Sequence, residues 1–276
     1  MMQKIIRIAR IEWIKTWNYS TFKILILLHA ILFLLISLIS SNIQFNLQGI
    51  NIFKIFHFPH IWNTLAWFAS WFNLLLGVLA IVLVSNEFQF RTFRKQLIDG
   101  LSRDELLGGK VLVMTLVAAH AMLLVFLTGL IIGIIKTTNF TLTDLLNGLN
   151  YLPVLYIQAL AYTLLALLFV FIFRTPGPSI IMYLLYFFPI EPIIRAIIPE
   201  SAVRFMPAKI ISKLTPMPDF VGISLSDMIE FNISGSDLFS QNISKSPSLT
   251  VTSLMVLLYC TLFVLISRQI IIRKNF

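Results

Sequence analysis

NEFQFRTFRKQLIDGLSRDELLGGK, residues 86–110, separates two long apolar runs, and how it is read decides the fold. The run before it, residues 61–85, and the run after it, residues 111–135, could each cross about 30 Å of hydrocarbon as a helix. Between them charge is dense and of both signs. Such an interval does not lie in lipid; it turns the chain back at a membrane face. Glu87 and Arg91 stand at i,i+4 and can pair on a helix. Phe88 and Leu97 offer apolar contact. Asp99-Gly100 breaks the helix, and Ser102, with Glu105 three residues on, starts a second one with a capping-box pattern. The interval thus reads as helix, turn, helix. A short amphipathic helix there can dock into a groove on a soluble partner. The alternative is a charged loop that does no more than fix topology.

Outward from this segment lie four further apolar runs, residues 24–40, 152–173, 179–198 and 249–272, giving about six spans. Composition agrees: 58% of the 276 residues are hydrophobic, 12% are charged, and the mean hydropathy is +0.89. A soluble domain has about 25% charged residues, so lipid has to cover part of this surface. In lipid the backbone satisfies its own hydrogen bonds, so the spans are helices. The alternation of a membrane barrel is absent. The fold class is therefore all-α, a polytopic membrane bundle in one transmembrane domain, residues 1–276.

Residues 1–22 repeat Ile6, Ala9, Trp13 and Trp17 at spacings of three and four, with Lys4, Arg7 and Lys15 off that stripe. This predicts a helix lying in the membrane interface. No cleavable leader is read there. The net charge of +9 reads as a topology signal, not as a nucleic-acid footprint. With the N-terminus in the cytoplasm, most of the 21 Lys and Arg fall on that side, and both termini lie there. Residues 174–178, Arg-Thr-Pro-Gly-Pro, predict a tight turn. Residues 199–247 form a long outer loop with scattered Phe205, Ile210, Ile211, Phe220, Val221, Met228, Ile229 and Leu238, which predicts short helices against the outer bundle face. The single cysteine, Cys260, sits in a span and says nothing about redox compartment.

Glu87, Thr92, Arg94, Leu97, Gly100, Ser102, Arg103 and Lys110 follow a pattern: a Glu ending the second span, Thr-x-Arg, Leu, Gly, Ser-Arg, and a Lys opening the third. This resembles the permease subunits of type-2 ATP-binding-cassette exporters. Arg91 stands where that family usually has Gly. The interfacial helix, the order of spans and the long loop before the sixth span are similar to it as well. The resemblance implies a bacterial cytoplasmic membrane and a second permease chain, identical or paralogous. It also implies two copies of a separate cytoplasmic ATPase gripping a coupling helix after Glu87, with outer re-entrant helices following the fifth span. The chain carries no Gly-x-x-x-x-Gly-Lys-Ser/Thr loop. ATP and magnesium are thus expected in the partner, with no cofactor and no catalysis in this chain.

The fifth span holds FPIEPIIRAIIPE, residues 188–200. Pro189 and Pro192 should kink it. Glu191 and Arg195 stand one turn apart, either as an outer gate or as a structural pair at headgroup level. Glu191-x-x-x-Arg195 with His29 and His120 also evokes an intramembrane protease, but Ile190 stands where a paired carboxylate would be needed to activate water. His120 is expected to pack between helices. His57 and His60 make a weak metal site at most. Asn139, Asn232 and Asn242 head sequons that matter only in a eukaryotic secretory pathway. An ion-coupled transporter or channel would call for more intramembrane carboxylates than Glu191. A noncatalytic scaffold would not need the pattern from Glu87 to Lys110. The few polar residues in the spans, Asn63, Asn73, Gln158 and Tyr162, weigh against a strongly charged cargo and toward a lipid, a peptide or a hydrophobic drug.

Overall fold

The computed structural model describes residues 2–42, 46–47, 50–51, 55–218 and 248–273. It is a polytopic helical bundle. Helix α1 (Met2–Asn18) leads with a one-residue break into α2 (Ser20–Asn42). A two-residue antiparallel ladder, Asn46–Leu47 against Ile50–Asn51, precedes α3 (Ile61–Trp71) and α4 (Asn73–Gln89). Then come α5 (Thr92–Ile98), α6 (Arg103–Lys136), α7 (Leu142–Leu146) and α8 (Tyr151–Phe173). The chain continues through α9 (Pro176–Leu185), a π turn (Tyr186–Ile190), α10 (Glu191–Ile197), α11 (Glu200–Val203), α12 (Pro207–Ser212) and α13 (Leu249–Arg273). Among the described residues five helices are long and apolar enough to cross a membrane, or six when α3 and α4 count as one bent span. Phe220, Val221, Met228, Ile229, Leu238, Asn232 and Asn242 lie outside the described residues.

The centre of the bundle is α8, which packs against α4, α6, α9 and α13. It is apolar around most of its circumference, as a helix surrounded by others has to be, with Gln158 and Thr163 the buried polar exceptions. The outer helices are one-sided. On α2, Ile24, Leu27, Ile31, Leu35 and Leu38 are exposed, while His29, Phe33 and Ser37 face inward. An apolar exterior this continuous is stable only against lipid or another apolar surface. The N-terminal half of the bundle closes around Trp62 and Phe58. These rings lie on Gly129 and Gly133 of α6, where an added Cβ would meet them at 2.7 and 2.3 Å.

Three differences from the sequence expectation have local causes. The span at residues 61–85 is not one helix. The Phe72 amide bonds to the Ala69 carbonyl, one residue short of the helical ladder, and α3 and α4 diverge by 45°. The segment 86–110 is more helical than expected. Helix α4 runs on through Glu87 to Gln89, and Lys110 lies inside α6 instead of opening a span from a loop. The turn at 174–178 shrinks: Arg174 takes a left-handed conformation (φ 60°), and Pro176 already opens α9, where its missing N–H costs no hydrogen bond. In the fifth span Pro189 does interrupt the helix. It has no N–H and crowds the preceding turn, and the chain widens into a π turn before α10 resumes.

Candidate functional site

At one end of the bundle, α1, α4 and α6 converge on four charged side chains. Glu12 and Lys15 come from α1, Glu87 from the last turn of α4, and Lys110 from the second turn of α6. The Lys110 ammonium donates to Glu12 at 2.7 Å and also to Glu87. Lys15 reaches Glu12 at 3.0 Å and Glu87 at 2.9 Å. Two acids and two bases alternate, so the cluster is neutral as a whole. Glu12 is 3% exposed and Lys110 1%. Ions this deep persist only when each is paired and hydrogen-bonded. Burial pushes the Glu12 carboxyl upward, but the Lys110 and Lys15 ammonium groups outweigh that and hold it below the ordinary value. Burial likewise depresses Lys15, and Glu87 and Glu12 together hold it above the ordinary value. Gly109 lets α1 come this close: a Cβ there would stand 3.0 Å from Ile8 and 3.1 Å from Glu12. Beside the cluster lies a cavity of about 150 Å³ bordered by Tyr19, Asn86, Glu87 and Thr92. Asn86 donates to the Tyr19 hydroxyl, and among the described residues Glu87 Oε2 has no hydrogen-bond partner.

Sequence reasoning found Glu87 and Lys110 but missed Glu12 and Lys15. It also expected Glu87 to pair with Arg91, which the structure corrects. The helix ends before Arg91, whose left-handed conformation (φ 57°) reverses the chain and leaves it exposed, while Glu87 turns to the two lysines. Helix α5 then runs along the bundle end. Phe93 pins it there, fully buried, stacked on Phe88 at 4.7 Å and edge-on to Phe171. Leu97 also packs inward on the core. The outward face of this segment carries Arg91, Thr92, Arg94 and Lys95, with Phe90 68% and Ile98 76% exposed. Those two apolar side chains were not singled out from sequence. The signal was there: they flank the charged stretch on the face opposite Phe93 and Leu97.

Beyond α5, Gly100 takes φ 93°, a conformation that L side chains rarely adopt. Ser102 and Glu105 make the reciprocal capping box that the sequence predicted. Arg103 turns toward α13. Its guanidinium donates to the carbonyls of Ile271, at 2.9 Å, and Ile272. It thereby satisfies carbonyl groups that the last turn of α13 leaves unpaired. Asp104 and Arg268 add a bidentate pair at 2.7 and 2.9 Å between the same two helices.

At the other end, Glu191 is 1% exposed and its carboxylate accepts from the backbone N–H groups of Ala208 (2.7 Å) and Lys209 (2.8 Å). It thus caps α12 from a distance, and Arg195 stands at 4.0 Å. Nearby, Asn73, first residue of α4, donates to Gln158 of α8 at 3.0 Å. Gln158 in turn donates to the Ile211 carbonyl (2.9 Å) and the Thr215 hydroxyl (3.0 Å). The bend at Phe72 and the segment around α12 therefore share one buried polar network. Glu191→Gln keeps one acceptor and turns an NH2 toward an N–H. We expect a loss of about 1–3 kcal/mol in the anchoring of α12. Faster tryptic cleavage at the exposed Arg204 would report it; an unchanged rate would mean that Glu191 does not hold this segment.

His29 and His120 do meet, with ring centroids 5.8 Å apart, packed between α2 and α6. Among the described residues no three His, Cys, Asp or Glu side chains come together as a metal site, His57 and His60 included. Glu191 is engaged with α12, not with a histidine. A family model described as ABC-2 family transporter protein matches residues 8–190, a stretch that contains the four-charge cluster, α5 and the α3–α4 bend. Comparison with curated proteins gives no match.

Proposed function

The chain belongs to the ABC-2 family of transporter proteins, and from that premise we propose that it is the permease subunit of an exporter driven by a separate ATPase. It is a multi-pass membrane transport component. In our reading α5 is the coupling helix, two ATPase copies grip the two permease chains of a dimer, and ATP and magnesium stay with the ATPase. The Lys and Arg distribution supports a cytoplasmic position for both termini, in a bacterial cytoplasmic membrane. The few polar residues in the spans favour an apolar cargo, a lipid, a peptide or a hydrophobic drug.

The observation that carries this is the two-sidedness of α5. Phe93 and Leu97 fix it to the bundle, while Phe90, Arg94, Lys95 and Ile98 face away with no core to join. Exposed apolar side chains ringed by cations are the composition of a docking surface. Thr92, first residue of α5, donates to the Glu87 carbonyl at 3.2 Å, so a push on α5 bears on the four-charge cluster that joins α1, α4 and α6. Helix α4 then spans from that cluster to the Asn73–Gln158 network, which touches the segment Glu191 holds. We infer that Glu191 and Arg195 lie at the outer exit, with Glu191 as the latch on α12.

The double variant R94E/I98A tests the coupling surface. Neither side chain is buried, so the permease should remain monodisperse. Retention of the ATPase on co-purification should fall by about tenfold or more. Undiminished retention would remove α5 from the interface.

A further inference from the structure

We propose that the groove between α1, α2 and α6 binds an anionic phospholipid, one acyl chain lying in the groove and the phosphate meeting Arg10 and Lys23. The groove encloses about 330 Å³ and is lined chiefly by Trp13, Trp17, Phe22, Ile26, Leu116 and Leu123. Its size falls in the range of ligand pockets, about 300–1,000 Å³. Its walls are almost wholly apolar, so it offers little to hold ordered water.

The rim identifies the occupant. Trp13 and Trp17 stack at 5.5 Å, each 53% exposed, and Lys23 Nζ stands 5.8 Å over the Trp17 ring. Paired tryptophans with a cation beside them suit headgroup depth. Arg10 lies one helical turn before Trp13, on the shoulder of the same face. Arg10 and Lys23 are exposed, and among the described residues neither has an ion-pair partner. Two unpaired cations over an apolar slot complement a phosphodiester on an acyl chain. They oppose a second copy of the chain, which would bring its own cations to the contact.

The location gives such a lipid a consequence. Helix α1 has the groove on one face and Glu12 and Lys15 on another. A molecule filling the groove therefore bears on the helix that closes the four-charge cluster.

Tryptophan quenching tests this on the isolated permease, without any ATPase. Its outcome is thus separate from the coupling assignment. The protein is placed in phosphatidylcholine nanodiscs containing a minor fraction of either phosphatidylglycerol or phosphatidylcholine with brominated acyl chains. The brominated phosphatidylglycerol should quench more strongly. The excess should fall by about fivefold per cation in R10Q and K23Q, and vanish in W13F/W17F, which leaves the other tryptophans as an internal control. Ala119→Phe, which fills the groove, should lower quenching by both lipids. Equal quenching by the two headgroups overturns the proposal, as does an excess that persists in R10Q/K23Q or in W13F/W17F.

Discussion

Lys110→Met is expected to be the most damaging single change in this protein. It removes the ammonium that touches both carboxylates and leaves Glu12 and Glu87 sharing only Lys15. The methionine fits the space, so the cost is electrostatic and not a cavity. A buried ion pair broken from one side costs about 3–5 kcal/mol, and here two carboxylates are left with one ammonium between them, a buried net negative charge. For a protein of ordinary marginal stability that is a large share of the total. The thermal unfolding midpoint in detergent and the yield of monodisperse protein should both drop sharply. E87Q/K110M should recover part of the loss, since one carboxylate and one ammonium then remain and the cluster is neutral again. If K110M unfolds like the wild type, the cluster does not hold α1, α4 and α6 together. If K110M cannot be purified but E87Q/K110M can, the charge account stands on the pair alone.

Gly77→Ala is the second. A Cβ at this position in α4 would stand 2.0 Å from the Tyr183 hydroxyl and 2.4 Å from its ring. Tyr183 has nowhere to go: it is fully buried on α9, edge-on to Phe169 and Phe187. One methyl group therefore has to push α9 off α4, an overpacking cost of about 1–3 kcal/mol, with larger side chains costing more. The thermal midpoint should fall for G77A and further for G77V, and G77A/Y183L should regain most of it. Tyr183→Phe alone is expected to be neutral or stabilising, because the hydroxyl has no hydrogen-bond partner among the described residues and its removal relieves an unsatisfied buried group. A destabilised Y183F, or a G77A that Y183L does not rescue, would contradict this packing account.

Both sites show why part of the molecule could be read from its residues and part could not. The apolar runs, the helix start at Ser102 with Glu105, and the interruption at Pro189 follow from local chemistry. The bend at Phe72 does not, since no Pro or Gly stands there. It coincides with Asn73 bonding Gln158, 85 positions away. Glu12 looked like one acid in a helix noticed for its tryptophans, because its partner Lys110 is 98 positions away. Arg103 and Arg94 look alike in a list of cations. They part only because the end of α13 lies within reach of the first and not of the second.

The sequence by itself determined that this chain is a helical membrane bundle interrupted by a charged segment at one face. Those properties depend on apolar length, on backbone hydrogen bonds that lipid cannot supply, and on caps and breakers acting within one turn. The tertiary structure alone decided which ends of that segment are buried. It made Glu87 and Lys110 a clamp shared with α1, turned Arg103 back to cap α13, and left Phe90, Arg94 and Ile98 facing outward. The physical reason is range. A side chain's pairing depends on which distant helix the packing brings alongside it, and a charge close to the bundle end is buried or presented according to that neighbour.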